Sequence, residues 1–261
     1  MAELVAVQRT SHTAICTLNL AHKRNPISPE MRQALTSALD TLAQEAAIRT
    51  VIITGAGSAF CSGLDLEGLA AQSALSQDEQ RADSESVAKF FNTIAHYSKP
   101  TIAAVNGPAV AGGCGLALLC DITVMSADAF LCFSEVKIGF VPALVGVYLE
   151  RLVGNKISRE LLLTARKVSA EEALAKGLVN AVVPAAELQD RANRIANDLA
   201  MNSPTALSAT KLLLSRAAEL DLPEALNLAI DINARARATS ECKEGVEAFL
   251  QKRPPSWTQS V

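Results

Sequence analysis

Lys99-Pro100-Thr101-Ile102-Ala103-Ala104-Val105-Asn106-Gly107-Pro108-Ala109-Val110-Ala111-Gly112-Gly113-Cys114-Gly115-Leu116-Ala117-Leu118-Leu119-Cys120-Asp121 is the stretch on which the fold turns. Thr101 to Val105 reads as a short buried strand, and Asn106-Gly107-Pro108 stops it. The glycines at 112, 113 and 115 then open a helix. The N–H groups of its first turn lack intrahelical acceptors and attract negative charge. Thr101 to Cys120 is uncharged over roughly the length a bilayer needs. Its proline and glycines would break a membrane helix, so strand, turn and helix is the expected reading.

Working outward, Thr50 to Thr54 is a second β-branched strand, ending in Gly55-Ala56-Gly57, and a helix near Glu79 to His96 separates the two. Leu4 to Gln8 and Ala14 to Leu20 read as strands joined by a polar turn. Ser28-Pro29 then caps a helix running to about Ala47, apolar at Met31, Leu35, Leu39 and Leu42. Strands separated by helices imply parallel pairing with right-handed crossovers. The glycine-rich turns then gather at the carboxyl ends of the strands, where a ligand is expected. Ser169 and Glu172 have capping-box spacing. Past Val183-Pro184 the pattern is almost wholly helical, near Ala185 to Met201, Pro204 to Ala217, Pro223 to Ala238 and Ser240 to Gln251. We expect an α/β core over residues 1–195 and a helical region over 196–261 serving oligomer contacts and site closure.

The 261 residues, 49% hydrophobic and 20% charged, fit one large α/β domain with an appendage and exclude a disordered chain or a small disulfide scaffold. A net charge of −3 disfavours nucleic acid as a partner. Cysteines at 16, 61, 114, 120, 132 and 242 form no C-x-x-C pair, and the three histidines lie far apart, so no zinc spacing is present. Reduced, buried thiols in a cytoplasmic protein are expected. Met1 to Arg9 alternates like a strand and lacks the run of a secretory leader.

Ser58-Ala59-Phe60-Cys61-Ser62-Gly63-Leu64-Asp65-Leu66, taken with the 99–121 stretch, resembles the enoyl-CoA hydratase/isomerase (crotonase) family. The likeness continues through Phe133-Ser134-Glu135-Val136 and Leu174-Ala175-Lys176-Gly177-Leu178-Val179 to Phe249-Leu250-Gln251-Lys252-Arg253. It implies the crotonase-like ββα spiral core and an acyl-CoA ligand. The thioester oxygen is expected between the backbone N–H groups of Leu64 and Gly112, and Glu135 is expected as general acid/base. A glutamate taken alone would read as a solvated loop carboxylate. Phe133, Val136 and Ile138 are expected to surround Glu135 with apolar surface and raise its pKa. For acyl-CoA contacts the resemblance points to Arg24, Ser62, Asp65, Leu66, Gly113, Gly115, Phe249 and Lys252. It implies a homotrimer or homohexamer, no metal and no redox cofactor, coenzyme A being part of the substrate. Gly55-Ala56-Gly57 also resembles the start of a dinucleotide fingerprint, but Phe60 stands at the third glycine.

Gly115 stands where two-glutamate hydratases of the family carry their other carboxylate, and Ala143, eight residues beyond Glu135, replaces the aspartate of the dienoyl-CoA isomerase branch. The glycine-rich run after the catalytic glutamate is altered to Pro142-Ala143-Leu144-Val145-Gly146-Val147. A single carboxylate leaves two reactions open. One is hydration of a 2-enoyl-CoA, favoured by resemblance to methylglutaconyl-CoA-type hydratases, in which a carboxylate on the substrate would help hold the water. The other is Δ3-Δ2-enoyl-CoA isomerisation. A protein that binds acyl-CoA without chemistry is the reading from another class.

Overall fold

The computed structural model describes residues 3–65, 68, 70 and 75–258. Strands β1 (Val5–Arg9) and β2 (Thr13–Leu18) form the antiparallel hairpin, and β3 (Thr50–Gly55) and β4 (Thr101–Val105) follow β2 in parallel. With β6 (Ile122–Ser126) and β9 (Ala181–Val183) the order in this sheet is β1-β2-β3-β4-β6-β9. A smaller sheet, in the order β5-β7-β8, joins β5 (Ala109–Val110), β7 (Phe130–Cys132) and β8 (Lys167–Ser169). Every residue of β4 is buried, as the unbroken apolar run requires of a parallel strand covered on both faces.

On one face lie α1 (Pro29–Gln44), α2 (Gln77–Ala95), α3 (Gly112–Leu118) and α4 (Ala143–Thr164), sharing one core that includes Met31, Leu35, Leu39, Phe91, Leu116, Val145 and Leu149. The Ser28 hydroxyl caps α1 by accepting from the Met31 N–H, with Pro29 in the first turn. Ser76 and Glu79 make a reciprocal capping box at the start of α2. The box expected at Ser169 is half made: Ser169 accepts from the Glu172 N–H to start α5 (Ala170–Ala175), but the Glu172 carboxylate turns to Arg166, which gives it two charge-assisted bonds.

Helix α6 (Leu188–Ala200) covers the other sheet face, burying Leu188, Ala192 and Ala196 against Ile52, Ile102, Ala104 and Val124. The division expected after residue 195 therefore falls inside a helix packed on the core, and the change of character comes after α6. Helices α7 (Pro204–Ala217) and α8 (Leu222–Ala238) bury no residue fully, and α9 (Ser240–Leu250) buries only Ala248. Five of the six cysteines are buried free thiols and Cys242 is partly exposed. No described helix is long and apolar enough to cross a membrane.

Candidate active site

Two asparagines shape the site loops at the carboxyl edge of the sheet. Buried Asn25, in the left-handed region at φ 55, donates from Nδ2 to the carbonyls of Ala56 and Ala59 at 2.9 Å and accepts from the Leu20 N–H. Asn106 accepts from the Gly55 N–H at 3.0 Å and donates to the Gly57 carbonyl at 3.0 Å. The first loop then runs alongside the second: the Val110 N–H donates to Cys61 O at 2.9 Å, and Cys61 pairs with Ala109 as an isolated parallel bridge. Gly113 allows this approach, since a Cβ there would lie 2.3 Å from Cys61 O.

Gly63 has φ +86, and a Cβ on it would sit 2.7 Å from Val110 O and 3.1 Å from the Gly112 nitrogen. Its carbonyl is held by the Ile27 N–H at 2.7 Å, and the Ser62 N–H donates to Arg24 O at 2.9 Å. Leu64 and the start of α3 are thus brought side by side. Neither the Leu64 nor the Gly112 N–H has an acceptor among the described residues. Two such donors are what a developing oxyanion needs. Ala111, which precedes Gly112 at φ 50 and ψ −122, donates to Cys132 O at 2.7 Å and so ties the start of α3 to the end of β7.

Glu135 follows β7 at the head of a one-turn 3-10 helix, Glu135–Ile138, closed by Gly139 at φ 74. It is 7% exposed, and its Oε2 is buried without a hydrogen-bond partner. Burial pushes its carboxyl above the usual range, against a smaller opposing effect of its own backbone N–H. Phe133 is buried, but Val136 and Ile138 are 38% and 56% exposed, so the apolar surroundings are not the expected chain neighbours. The tight turn throws those side chains outward.

The surroundings come from distant segments. Leu64, Gly112 and Glu135 line one cavity of about 420 Å³ together with Val87 and Phe91 of α2 and Phe140, Leu144 and Val145 around the start of α4. Its polar wall is Gln80, Asp83 and Ser84, and no lysine or arginine lines it among the described residues.

Known proteins match the chain over nearly its whole length. Residues 9–260 fit the model of the family described as enoyl-CoA hydratase/isomerase. The chain belongs to the enoyl-CoA hydratase/isomerase family. It is 46% identical to a protein of Thermus thermophilus named putative enoyl-CoA hydratase, over 97% of this chain and 99% of that one. It is 32% identical to the 2,3-dehydroadipyl-CoA hydratase of Escherichia coli, over 98% and 99% of the two chains. The crystal structure of an enoyl-CoA hydratase from Mycobacterium smegmatis superposes with a TM-score of 0.92 at 32% identity, covering 98% of this chain and 99% of that one.

The remaining sites expected from this family fall in different places. Gly115 does not line the cavity. A Cβ on it would lie 2.9 Å from Val145 Cγ2 and 3.1 Å from Phe91 Cζ, so apolar side chains fill the space beside it. Gly113 serves the packing of the two loops. Asp65 lines a small recess next to the cavity with Ile27, Arg32 and Asp83. Arg24 is exposed at the loop edge with φ 61, and Leu66 lies outside the described residues. Phe249, 82% exposed, and Lys252 sit at the end of α9 and do not line the cavity. Sequence reasoning missed Phe91, Arg32 and Asp83, whereas Leu144 and Val145, from the altered run after Glu135 expected to reshape the acyl pocket, do line the cavity. One signal was present: Arg32 stands on the apolar stripe of α1, three residues before Leu35 and seven before Leu39.

Proposed function

We propose that this enzyme adds water to the double bond of a 2-enoyl-CoA, with Glu135 as the single acid/base and the Leu64 and Gly112 N–H groups holding the thioester oxygen. The observation that carries the reading is the unpartnered, buried Oε2 of Glu135 in the cavity that Leu64 and Gly112 also line. Glu135 takes a proton from water as its oxygen bonds to C3, and the π electrons move to the thioester oxygen. The resulting enolate, held by the two donors, takes a proton at C2 from Glu135, which regains its charge. The addition is redox-neutral and calls on no redox cofactor. The buried free thiols favour a cytoplasmic setting.

The apolar filling beside Gly115 favours a second reading, because isomerisation needs only one base moving a proton between C2 and C4. Turnover in deuterated water separates them. A hydratase converts crotonyl-CoA to a 3-hydroxyacyl product labelled at C2. An isomerase returns labelled unsaturated isomers from 3-hexenoyl-CoA without a hydroxyl. The same filling sets the outcome of restoring the missing carboxylate. Gly115→Glu is expected to cost about 1–3 kcal/mol of stability through overpacking and to lower turnover. Adding Val145→Ala should recover part of the melting temperature. A fully stable, faster Gly115→Glu protein would contradict this packing.

The helical tail supports a homotrimer or homohexamer. Leu222, Phe249 and Leu250 are 72%, 82% and 74% exposed and offer apolar surface to a neighbouring subunit. Phe249 and Lys252 would then reach acyl-CoA only in a neighbouring subunit. Light scattering is expected to give a multiple of the 27.5 kDa chain mass, and truncation before Ser240 is expected to lower both the mass and the CoA affinity. A fully active full-length monomer would overturn the assembly.

A further inference from the structure

The polar wall of the acyl cavity holds a charge pair that the reaction above does not use. Arg32 of α1 is 6% exposed and donates from Nη2 to Asp83 Oδ1 of α2 at 2.7 Å, with a long second contact from Nη1 to Ile27 O at 3.5 Å. Its Nε is buried with no partner. Asp83, whose side chain is 26% exposed, lines both the main cavity and the small recess shared with Leu64 and Arg32. Asp83 therefore lines the main cavity, whereas its partner Arg32 lines only the recess.

We propose that Asp83 is a specificity-determining residue that selects uncharged acyl chains over those ending in a carboxylate. A terminal carboxylate entering this cavity meets Asp83 and Glu135, the charged side chains that line it, and no lining lysine or arginine among the described residues. Arg32 pairs with Asp83 and lines the small recess, not the cavity itself. Like charges brought together in a partly dry cleft are a direct way to reject a competing substrate. An uncharged chain loses nothing there, because Phe91, Phe140, Leu144 and Val145 offer it apolar contact. The hydratase-type site expected to use a substrate carboxylate to hold water is thereby disfavoured. The proposal rests on this cavity being the acyl site, and it holds whether that site hydrates or isomerises.

The test measures dissociation constants of saturated thioesters matched in length: butyryl-, valeryl- and hexanoyl-CoA against succinyl-, glutaryl- and adipyl-CoA. Wild type is expected to bind the uncharged member of each pair more tightly. Asp83→Asn should narrow that preference about tenfold at the length whose end reaches position 83, the scale of one charge contact across a partly solvated gap. It also leaves Arg32 free to attract the carboxylate. Arg32→Gln should shift it the other way, by leaving Asp83 unneutralised. Asp83→Ala gives an independent check should the asparagine rearrange the pair. Uncharged acyl-CoAs that bind well with a preference unmoved by both Asp83 variants overturn the role of Asp83 alone. If no acyl-CoA binds better than CoA itself, the acyl-site reading and the proposal fall together.

Discussion

Glu135→Gln is expected to slow the chemical step by roughly 10²–10⁴-fold, the range lost with a positioned acid/base, while acyl-CoA binding changes little. Glutamine keeps the shape of the side chain but takes up no proton. The loss should appear in kcat at saturating crotonyl-CoA, or 3-hexenoyl-CoA if isomerisation is the reaction. Unchanged turnover would falsify the assignment and direct attention to Asp83, the other carboxylate that lines the cavity among the described residues.

The same substitution should raise the melting temperature at neutral pH. Burial lifts the folded-state pKa of Glu135 above that of the unfolded chain. As pH rises through the ordinary carboxylate range the unfolded chain loses this proton while the folded one keeps it, so stability falls over that window up to the raised pKa. Above it, the protein carries a buried, unpaired carboxylate that glutamine does not impose. In acid below the ordinary carboxylate range the two proteins should differ less. The acid limb of kcat/KM should likewise stand above the ordinary carboxylate range, since addition begins with the ionised form.

The second large effect is expected at Gly112. Proline there removes the N–H proposed as an oxyanion donor, and losing one such donor costs about 2.7–4 kcal/mol, or roughly 10²–10³-fold in kcat. It also disturbs Ala111, whose φ 50 and ψ −122 lie far from the extended conformation a residue before proline adopts. Gly112→Ala separates the two causes. It keeps the N–H, and beyond its own turn its Cβ meets only ordinary contacts, Ile27 Cδ1 at 3.5 Å the nearest, so it should lose far less activity than proline. Circular dichroism and melting curves should show whether the proline variant is folded. A folded Gly112→Pro protein with wild-type turnover on crotonyl-CoA and 3-hexenoyl-CoA removes Gly112 from the mechanism.

Much of this molecule is decided over short stretches of chain. Thr101 to Val105 is β-branched and apolar and Asn106-Gly107-Pro108 stops it, so the strand and its turn follow from local chemistry. The caps at Ser28 and Ser169 are equally local, because each depends on residues within three positions. The two glycine loops were legible as a pair because backbone donors need only the right turns. Glu135 was legible through the family motif around it. Its environment was not, and the neighbours expected to bury it, Val136 and Ile138, point outward. Phe91 and Val145 reach the site from α2 and α4, and Arg32 finds Asp83 across 51 positions of chain. Such contacts depend on how whole helices pack on the sheet, a long-range balance that no local propensity encodes. The sequence by itself therefore determined the first four strands and their turns, and pointed to the loops and the glutamate proposed for the site. Only the tertiary structure decided what closes around that acid, what fills the space beside Gly115, and which charge stands in the wall of the cavity.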